Sequence, residues 1–480
     1  MPQRPNIIVM YADDLGFGDV GCYGAESVPT PNIDRLAADG LLFTNGYATA
    51  ATCTPSRYSL LTGSYPWRNP NAAILAGDAP MIIGEREETI ASMLAAGGYR
   101  TAMVGKWHLG IGSGSLDWNG AIARTPNDVG FDQSYILAPT NDRVPCVYVH
   151  DRHVEGLDPN DPIEVVYGRP GAFPDVPTGR EHPELLRMRY SHGHDGTIVN
   201  GVSRIGEMRG GAAALWDDEA MAEVFLERAR GFVRRHADGP FFLYYAFHQP
   251  HVPRIPGPRF AGSTPHGPRG DVIAEMDWCV GELLRTLDEL GIREETMIVF
   301  SSDNGPVLDD GYHDRAEELV GEHSPAGPLR GGKYSLYDGG TRVPFIVSWP
   351  GTVDAGRSDA LVSHVDFFAS FAELVGSEVD ADAAPDSENV LQALLGRTSE
   401  GRNELVVEGM QAKTVLRSGR WTYIPPYDGP AVSPTTHTEL GNADEPQLYN
   451  LDEDLGQIAN RAGTQGEIAA SMDARLREIL

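Results

Sequence analysis

The sequence predicts an α/β protein: a large central sheet, mostly parallel or mixed, sandwiched by helices, with a smaller antiparallel sheet plus helix at the C-terminus. Three observations predict it. Apolar, β-branched and aromatic runs such as Asn6-Ile7-Ile8-Val9-Met10-Tyr11 show no polar alternation, so they belong to strands covered on both faces. Between these runs lie longer stretches with apolar residues at helical spacing. After residue 400 the runs shorten and are separated by turns, as in an antiparallel sheet. Alternating strands and helices argue layers packed around a common core. The boundary is placed near residue 400, giving a larger unit over 1–400 and a C-terminal subdomain over 401–480.

Taken in order, Pro5 to Tyr11 reads as the first buried strand and runs directly into Asp13-Asp14. Tyr99 to Val104 reads as another and enters Gly105-Lys106-Trp107-His108-Leu109-Gly110. From Asp218 to Arg235 a helix follows from Met221, Val224, Phe225, Phe232 and Val233 sharing one face. Phe241 to Phe247 reads as a strand that discharges His248 and His251 into a loop stiffened by Pro250 and Pro253. Asp271 to Leu290 reads as a helix on Ile273, Met276, Val280, Leu283, Leu284 and Leu287. Thr296 to Ser302 is a fourth strand, and it ends on carboxylate and amide groups, Asp303-Asn304-Gly305. An apolar helix over Val365 to Val375 precedes an acidic, turn-rich stretch from Gly376 to Ala393. Glu404–Glu408, Lys413–Arg417 and Arg420–Ile424 read as short strands, with Gln447–Leu451 closing that unit before a terminal helix.

The chemistry concentrates at the ends of these strands. Two adjacent carboxylates at a strand's carboxyl end repel unless a cation separates them, and open α/β sheets bind ligands at that edge. Asp13, Asp14, Asp303 and Asn304 together offer only oxygen, which favours Ca²⁺ or Mg²⁺ over zinc. Of 38 basic residues only Lys106, Lys333 and Lys413 are lysine. A chain so biased toward arginine keeps lysine where a compact ammonium able to move a proton is needed. Lys106 and Lys333 both sit beside glycines, which let a backbone approach a ligand closely. His248-Gln249-Pro250-His251 has zinc-like spacing, but with no Cys nearby and no third spaced His, His251 is expected to contact an acid or anion instead.

The run Cys53-Thr54-Pro55-Ser56-Arg57, continued by Tyr58 to Gly63, resembles the signature of type I sulfatases. The order Asp-Asp, Cys-x-Pro-Ser-Arg, Gly-Lys-Trp-His, Pro-His-x-Pro, Asp-Asn-Gly and Gly-Gly-Lys is similar to that family across residues 6 to 350. The resemblance implies the alkaline phosphatase-like fold, and oxidation of Cys53 to Cα-formylglycine by a formylglycine-generating enzyme. It implies Ca²⁺ as the metal, held by Asp13, Asp14, Asp303 and Asn304 with the Cys53-derived group beside them. One hydroxyl of the hydrated aldehyde would attack sulfur in line with the leaving alcohol, and the other would later expel sulfate. By the same likeness Arg57 and Lys106 orient that group, and His108 is the base for the collapse. His251 with Lys333 binds sulfate and protonates the leaving oxygen. Asp338 departs from the Glu that many members carry before the Gly pair. Candidate substrate contacts are Asp142, Arg143, His192, His194, Asp195 and His248, with Asn141 and the Trp216-Asp217-Asp218 run nearby in the loop-rich middle. This stretch resembles bacterial sulfatases acting on 6-sulfated galactose or N-acetylgalactosamine.

At 480 residues and 41% hydrophobic content the chain forms a sizeable core. A net charge of −30 argues against nucleic acid and mildly against long, densely sulfated polymers, while leaving room for a small anion or oligosaccharide sulfate. Cys22, Cys53, Cys146 and Cys279 show no paired spacing, so no disulfide framework is expected. No run reaches membrane-spanning length, and no signal-like segment precedes the first strand, so a cytoplasmic enzyme is expected, with a secreted mature form as the alternative. Two other functions stay open: a phosphonate or phosphate diester hydrolase using the same groups, and a non-catalytic anion-binding protein with unmodified Cys53.

Overall fold

The computed structural model describes residues 4–380 and 382–480. Ten strands form the main sheet: β1 (Asn6–Ala12), β2 (Leu41–Phe43), β3 (Arg100–Lys106), β4 (Gln133–Leu137), β5 (Val149–His150), β6 (His153–Val154), β7 (Phe241–Ala246), β8 (Thr296–Ser302), β9 (Phe345–Ser348) and β10 (Gly356–Ser358). Their order is β10-β2-β9-β8-β1-β7-β3-β4-β5-β6. The middle five, β8-β1-β7-β3-β4, are parallel, and antiparallel pairings occur only toward the two sides, so the sheet is mixed as expected. Every residue of β1, β7 and β8 is buried, which is why these strands read as unbroken apolar runs. Each fully buried Ile or Val here contributes about 1.5–3 kcal/mol of transfer free energy.

The flanking helices are α1 (Pro31–Ala38), α2 (Cys53–Thr62), α3 (Ile90–Ala96), α4 (Met221–His236), α5 (Gly267–Leu290), α6 (Phe367–Val375) and, at the C-terminus, α7 (Gly466–Ile479). Successive strand residues point to opposite faces, and β7 shows which helices lie on each. Tyr244 meets Arg57 of α2, whereas Tyr245 meets Cys279 of α5, so α2 and α5 cover opposite faces. On the α5 face lie α1 and α4; α3 and α6 pack with α2.

In β1, Asn6 pairs with Thr296 and Ala12 with Ser302 of β8. Because these parallel strands end level, the segments Asp13-Asp14 and Asp303-Asn304 emerge side by side. The smaller sheet is antiparallel in sequence order, β11 (Glu404–Glu408), β12 (Thr414–Ser418), β13 (Trp421–Ile424) and β14 (Gln447–Asn450), with α7 packed on β12 and β13. Its core also takes in Tyr47, Tyr65, Leu336 and Val365, so the sheet is seated on the larger unit rather than tethered to it. Among the described residues no helix is long and apolar enough to cross a membrane.

Candidate active site

Strand ends build the centre of the site. Asp303 N–H donates to the carbonyl of Ala12 (3.1 Å), and Asp14 N–H to Asp303 Oδ1 (3.1 Å). Asp14 turns back in the left-handed region, φ 65°. One oxygen from each of Asp13, Asp14 and Asp303 lies within 4.8 Å of the others, and all three residues are buried. Asn304 Nδ2 donates to Asp14 Oδ1 (2.7 Å), while its Oδ1 is buried with no partner among the described residues.

Three cations face these carboxylates. Lys106 Nζ donates to both oxygens of Asp13 (2.7 and 2.6 Å), and Arg57 Nε and Nη2 to Asp303 Oδ2 (3.0 and 2.7 Å). Lys333 Nζ bridges Asp14 Oδ2 and Asp310 Oδ2, at 2.8 Å each. Four buried carboxylates thus meet three buried cations. Burial pushes the carboxyls of Asp13 and Asp14 above the ordinary range against the pull of Lys106 and Lys333. At Asp303 burial acts in the same direction, but Arg57 and Lys106 outweigh it and hold the group low. An all-oxygen cage with surplus negative charge and an unpartnered amide oxygen fits a hard divalent cation.

Helix α2 delivers Cys53 to this cage. Thr52 is extended (φ −148°, ψ 150°), Cys53 opens the helix, and Pro55 sits in the first turn, where its missing N–H costs nothing. Cys53 Sγ lies within 4.8 Å of a ligand atom of both Asp13 and His251. Burial raises its thiol pKa despite Lys106 and Lys333, so an unmodified Cys53 stays a neutral thiol and a poor nucleophile. Arg57 is one turn further along the same face, fully buried, and also donates from Nη1 to the carbonyl of Lys106 (3.1 Å).

The glycines beside the lysines have a different cause from the one expected. Gly105 has φ 109°, and a Cβ there would stand 1.8 Å from the Ala246 carbonyl oxygen; at Gly332 it would stand 2.4 Å from that of Pro306. These positions let backbone approach backbone, not ligand.

His108 has φ 54°; its Nε2 lies 3.3 Å from the carbonyl oxygen of Leu75, and its buried Nδ1 has no partner among the described residues. Burial, reinforced by Lys106 and Arg143, holds this imidazole well below its ordinary pKa and hence neutral. His251 Nδ1 lies 2.6 Å from the Val252 carbonyl oxygen, which makes Nδ1 the protonated nitrogen, and its Nε2 is 3.9 Å from Asp14 Oδ2. Burial, with Lys333 and Lys106, keeps it neutral too. His248 stays apart from the carboxylate clusters: its ring packs near Phe225 and burial lowers its pKa to about 3. The two histidines therefore do not form a metal pair.

Of the expected substrate contacts, the structure joins three. Arg143 Nη1 donates to Asp142 Oδ1 (2.8 Å), and His194 Nε2 is 2.9 Å from Asp142 Oδ2. Burial works to raise the pKa of Asp142, but the charge of Arg143 and the hydrogen bond from His194 outweigh it and hold the carboxylate ionised. His192 sits half-buried beside Ser191, whose hydroxyl donates to Asp309 Oδ1 (2.6 Å). Asp195 is instead taken up by Arg180 (2.9 Å) in a half-exposed ion pair. Trp216 is buried and donates from Nε1 to Asp218 (3.2 Å), which pairs with buried Arg204 (2.8 Å). Asn141 Nδ2 donates to the Pro253 carbonyl (3.3 Å). Asp338 accepts from Tyr47 Oη (2.7 Å) and faces Arg342.

Asp310 escaped the sequence reading. It anchors Lys333 and accepts from Tyr334 Oη (2.9 Å). Its only signal is the doublet Asp309-Asp310 before Gly311, which repeats the acid pair at Asp13-Asp14 but follows no strand.

A protein-family description, Sulfatase, matches residues 5–377. The chain is 48% identical over 478 residues to an N-acetylgalactosamine-6-O-sulfatase of Bacteroides thetaiotaomicron, covering 99% of this chain and 93% of that protein. Human arylsulfatase A is 32% identical, over 96% of this chain and 84% of its own length. A solved Bacteroides thetaiotaomicron structure, described under the metabolism of multiple glycosaminoglycans, superposes with a TM-score of 0.98 at 48% identity and covers 99% of both chains.

Proposed function

The chain belongs to the sulfatase family and hydrolyses sulfate esters, and we propose that its substrate is a 6-O-sulfated N-acetylgalactosamine or galactose unit of a glycan. The observation that carries this reading is 48% identity along nearly the whole of a relative named for that sugar and position. It is supported by the buried Asp142, Arg143 and His194 cluster, which acts electrostatically on His251 and presents fixed polar groups suited to sugar hydroxyls.

Asp13, Asp14, Asp303 and the free oxygen of Asn304 would hold the cation, for which Ca²⁺ suits an irregular all-oxygen cage. A divalent cation there supplies the positive charge that the carboxylates lack and polarises the sulfuryl oxygens. Formylglycine made from Cys53 supplies a hydrated aldehyde as nucleophile, in place of a thiol that burial keeps protonated. Arg57 and Lys106 outweigh burial at Asp303 and hold that carboxylate ionised, while the Lys106 ammonium fixes the position of Asp13. His108 offers an unpartnered Nδ1 as the base. Lys333 is the resting proton carrier opposite: burial disfavours its ammonium, but Asp14 and Asp310 outweigh that, while His251 presents an unprotonated Nε2. Lys333 thus binds sulfate as a cation and stands ready to protonate the leaving oxygen.

The test pairs chemistry with specificity. Peptide mass analysis should find Cys53 as the aldehyde in active preparations, and Cys53→Ala should abolish turnover of an aryl sulfate with an unchanged thermal midpoint. Among sulfated monosaccharides the 6-sulfate should be turned over far faster than the 4-sulfate. Full activity from protein carrying only the free thiol would sink the mechanism, and preference for the 4-sulfate would sink the substrate.

A further inference from the structure

The hairpin joining β11 to β12 is stitched to the site by backbone hydrogen bonds. Ala51 N–H donates to the Glu408 carbonyl (2.7 Å), Tyr334 N–H to that of Ala51 (2.8 Å), and Met410 N–H to that of Tyr334 (3.1 Å). This loop therefore ties the residue two before Cys53 to the residue after Lys333. Beside it lies a cavity of about 390 Å³, bordered by Trp67, Ile74, Glu408 and Met410 and reaching Thr52 and Pro55 on either side of Cys53. Its lining is tied to the site at a second point as well, since the carbonyl of Leu75, next to Ile74, accepts from His108 Nε2.

Four features of this cavity are those of a ligand site rather than a packing gap. Trp67 is stacked on Tyr65 (centroids 4.2 Å apart, 18° between planes), which fixes one face of a half-buried ring and leaves it a rigid platform. Ile74 and Met410 are 39% and 43% exposed, so the rim is apolar. Glu408 is 4% exposed, yet its Oε2 has no partner among the described residues, an arrangement that costs stability unless something else completes it. At the lip Gln411 and Ala412 both hold left-handed backbone, φ 64° and 57°, strain of the kind found at ligand clamps.

Among the described residues no Arg, Lys or His lines the cavity, so it offers no cationic side chain to a sulfate or a uronate. A flat aromatic face, small apolar walls and one unpartnered carboxyl match a neutral pyranose, whose C–H face stacks on indole while its hydroxyls donate and accept. We propose that this cavity is a subsite for the uncharged sugar ring linked to the sulfated one, with Trp67 under the ring and Glu408 hydrogen-bonded to one of its hydroxyls. The inference rests on the reading of the substrate as a sulfated glycan.

The measurement is kcat/KM on a 6-sulfated monosaccharide and on a disaccharide joining it to an unsulfated ring, for wild type, Trp67→Ala, Trp67→Phe and Glu408→Gln. The wild type should prefer the disaccharide. That preference should fall about tenfold in Trp67→Ala, the typical cost of truncating an aromatic anchor, and by less in Glu408→Gln, with Trp67→Phe keeping most of it. If Trp67→Ala does not fold, the other two variants decide. An unchanged disaccharide-to-monosaccharide ratio in the folded variants, or a wild type without preference, overturns the subsite. A wild type that cleaves aryl sulfate but neither saccharide overturns the glycan reading instead, and the subsite with it.

Discussion

Lys106 and Lys333 are each fully enclosed and each spends its ammonium on carboxylates, Lys106 on both oxygens of Asp13 and Lys333 on Asp14 and Asp310. A guanidinium would keep the charge but is planar and larger, and it does not give up a proton at neutral pH. Lys106→Arg and Lys333→Arg should therefore each lose ~10²–10³ in kcat/KM on an aryl sulfate, the typical cost of one transition-state charge contact. Lys413 is a control, because among the described residues its ammonium donates to the Asp428 carbonyl and to Asn442 Oδ1 (2.7 Å) near the surface and to no carboxylate. Its Arg variant should be nearly silent, and equal losses in all three would show that the scarcity of lysine carries no catalytic information. Glu408 yields a pH prediction. Burial alone raises its pKa to about 8, so the folded state binds this proton more tightly than the unfolded chain does. Stability is then lost as pH rises from the ordinary carboxyl range through 8, by up to on the order of 4 kcal/mol, and is fully retained below that range. Glu408→Gln should match the wild-type thermal midpoint at pH 5 and exceed it at pH 9; a gap that does not grow with pH would refute the buried, uncompensated acid.

At the scale of elements, the site exists because two parallel strands stop level and one helix begins beside them. Asp303 is the joint: it closes the turn after β8, accepts Asp14 N–H on Oδ1, and takes the Arg57 guanidinium of α2 on Oδ2. Removing that carboxylate leaves a buried arginine short of its partner, a class of change that costs about 3–5 kcal/mol, and removes one wall of the cation cage. Asp303→Ala should lower the thermal midpoint, reduce bound divalent metal below one per chain, and cut the rate at least ~10²-fold. Retention of both stoichiometric metal and normal rate would show that the cage lies elsewhere.

For the whole molecule, the −30 net charge and the cationic lining of the site act over different ranges. Arg57, Lys106 and Lys333 set the sign within a few ångströms, whereas the surface field repels any polyanion before it arrives. Raising salt from about 10 mM to about 150 mM shortens the screening length from roughly 30 Å to roughly 8 Å. On a long sulfated polymer kcat/KM should rise severalfold over that interval, while on a monosulfated sugar it should change little. A fall with salt on the polymer would mean that a cationic surface track, rather than the net charge, governs capture.

Much of the site was legible because its groups sit where local pattern changes. An apolar run that stops on Asp13-Asp14, another that stops on Asp303-Asn304, and a lysine in an arginine-rich chain are visible without knowing what lies opposite. Asp195 shows the limit of local pattern: it adjoins His194 in the chain, yet it turns outward to Arg180 while His194 turns inward to Asp142. Asp310 and Glu408 were missed because nothing near them in the sequence marks them; one matters through Lys333, the other through its burial beside Ala51. The glycines beside the two lysines were read as openings toward a ligand, but their absent side chains make room for the Ala246 and Pro306 carbonyls of neighbouring segments. By itself the sequence determined the buried strands β1, β3, β7 and β8, the helices α4, α5 and α6, the C-terminal strands and the oxygen donors at the strand ends, since periodicity and strand termination are short-range properties. Only the tertiary structure decided that β1 and β8 end in register, that Lys333 is shared between Asp14 and Asp310, and that a hairpin some 350 residues away walls the space beside Cys53, because side-chain contact depends on distances that no local period encodes.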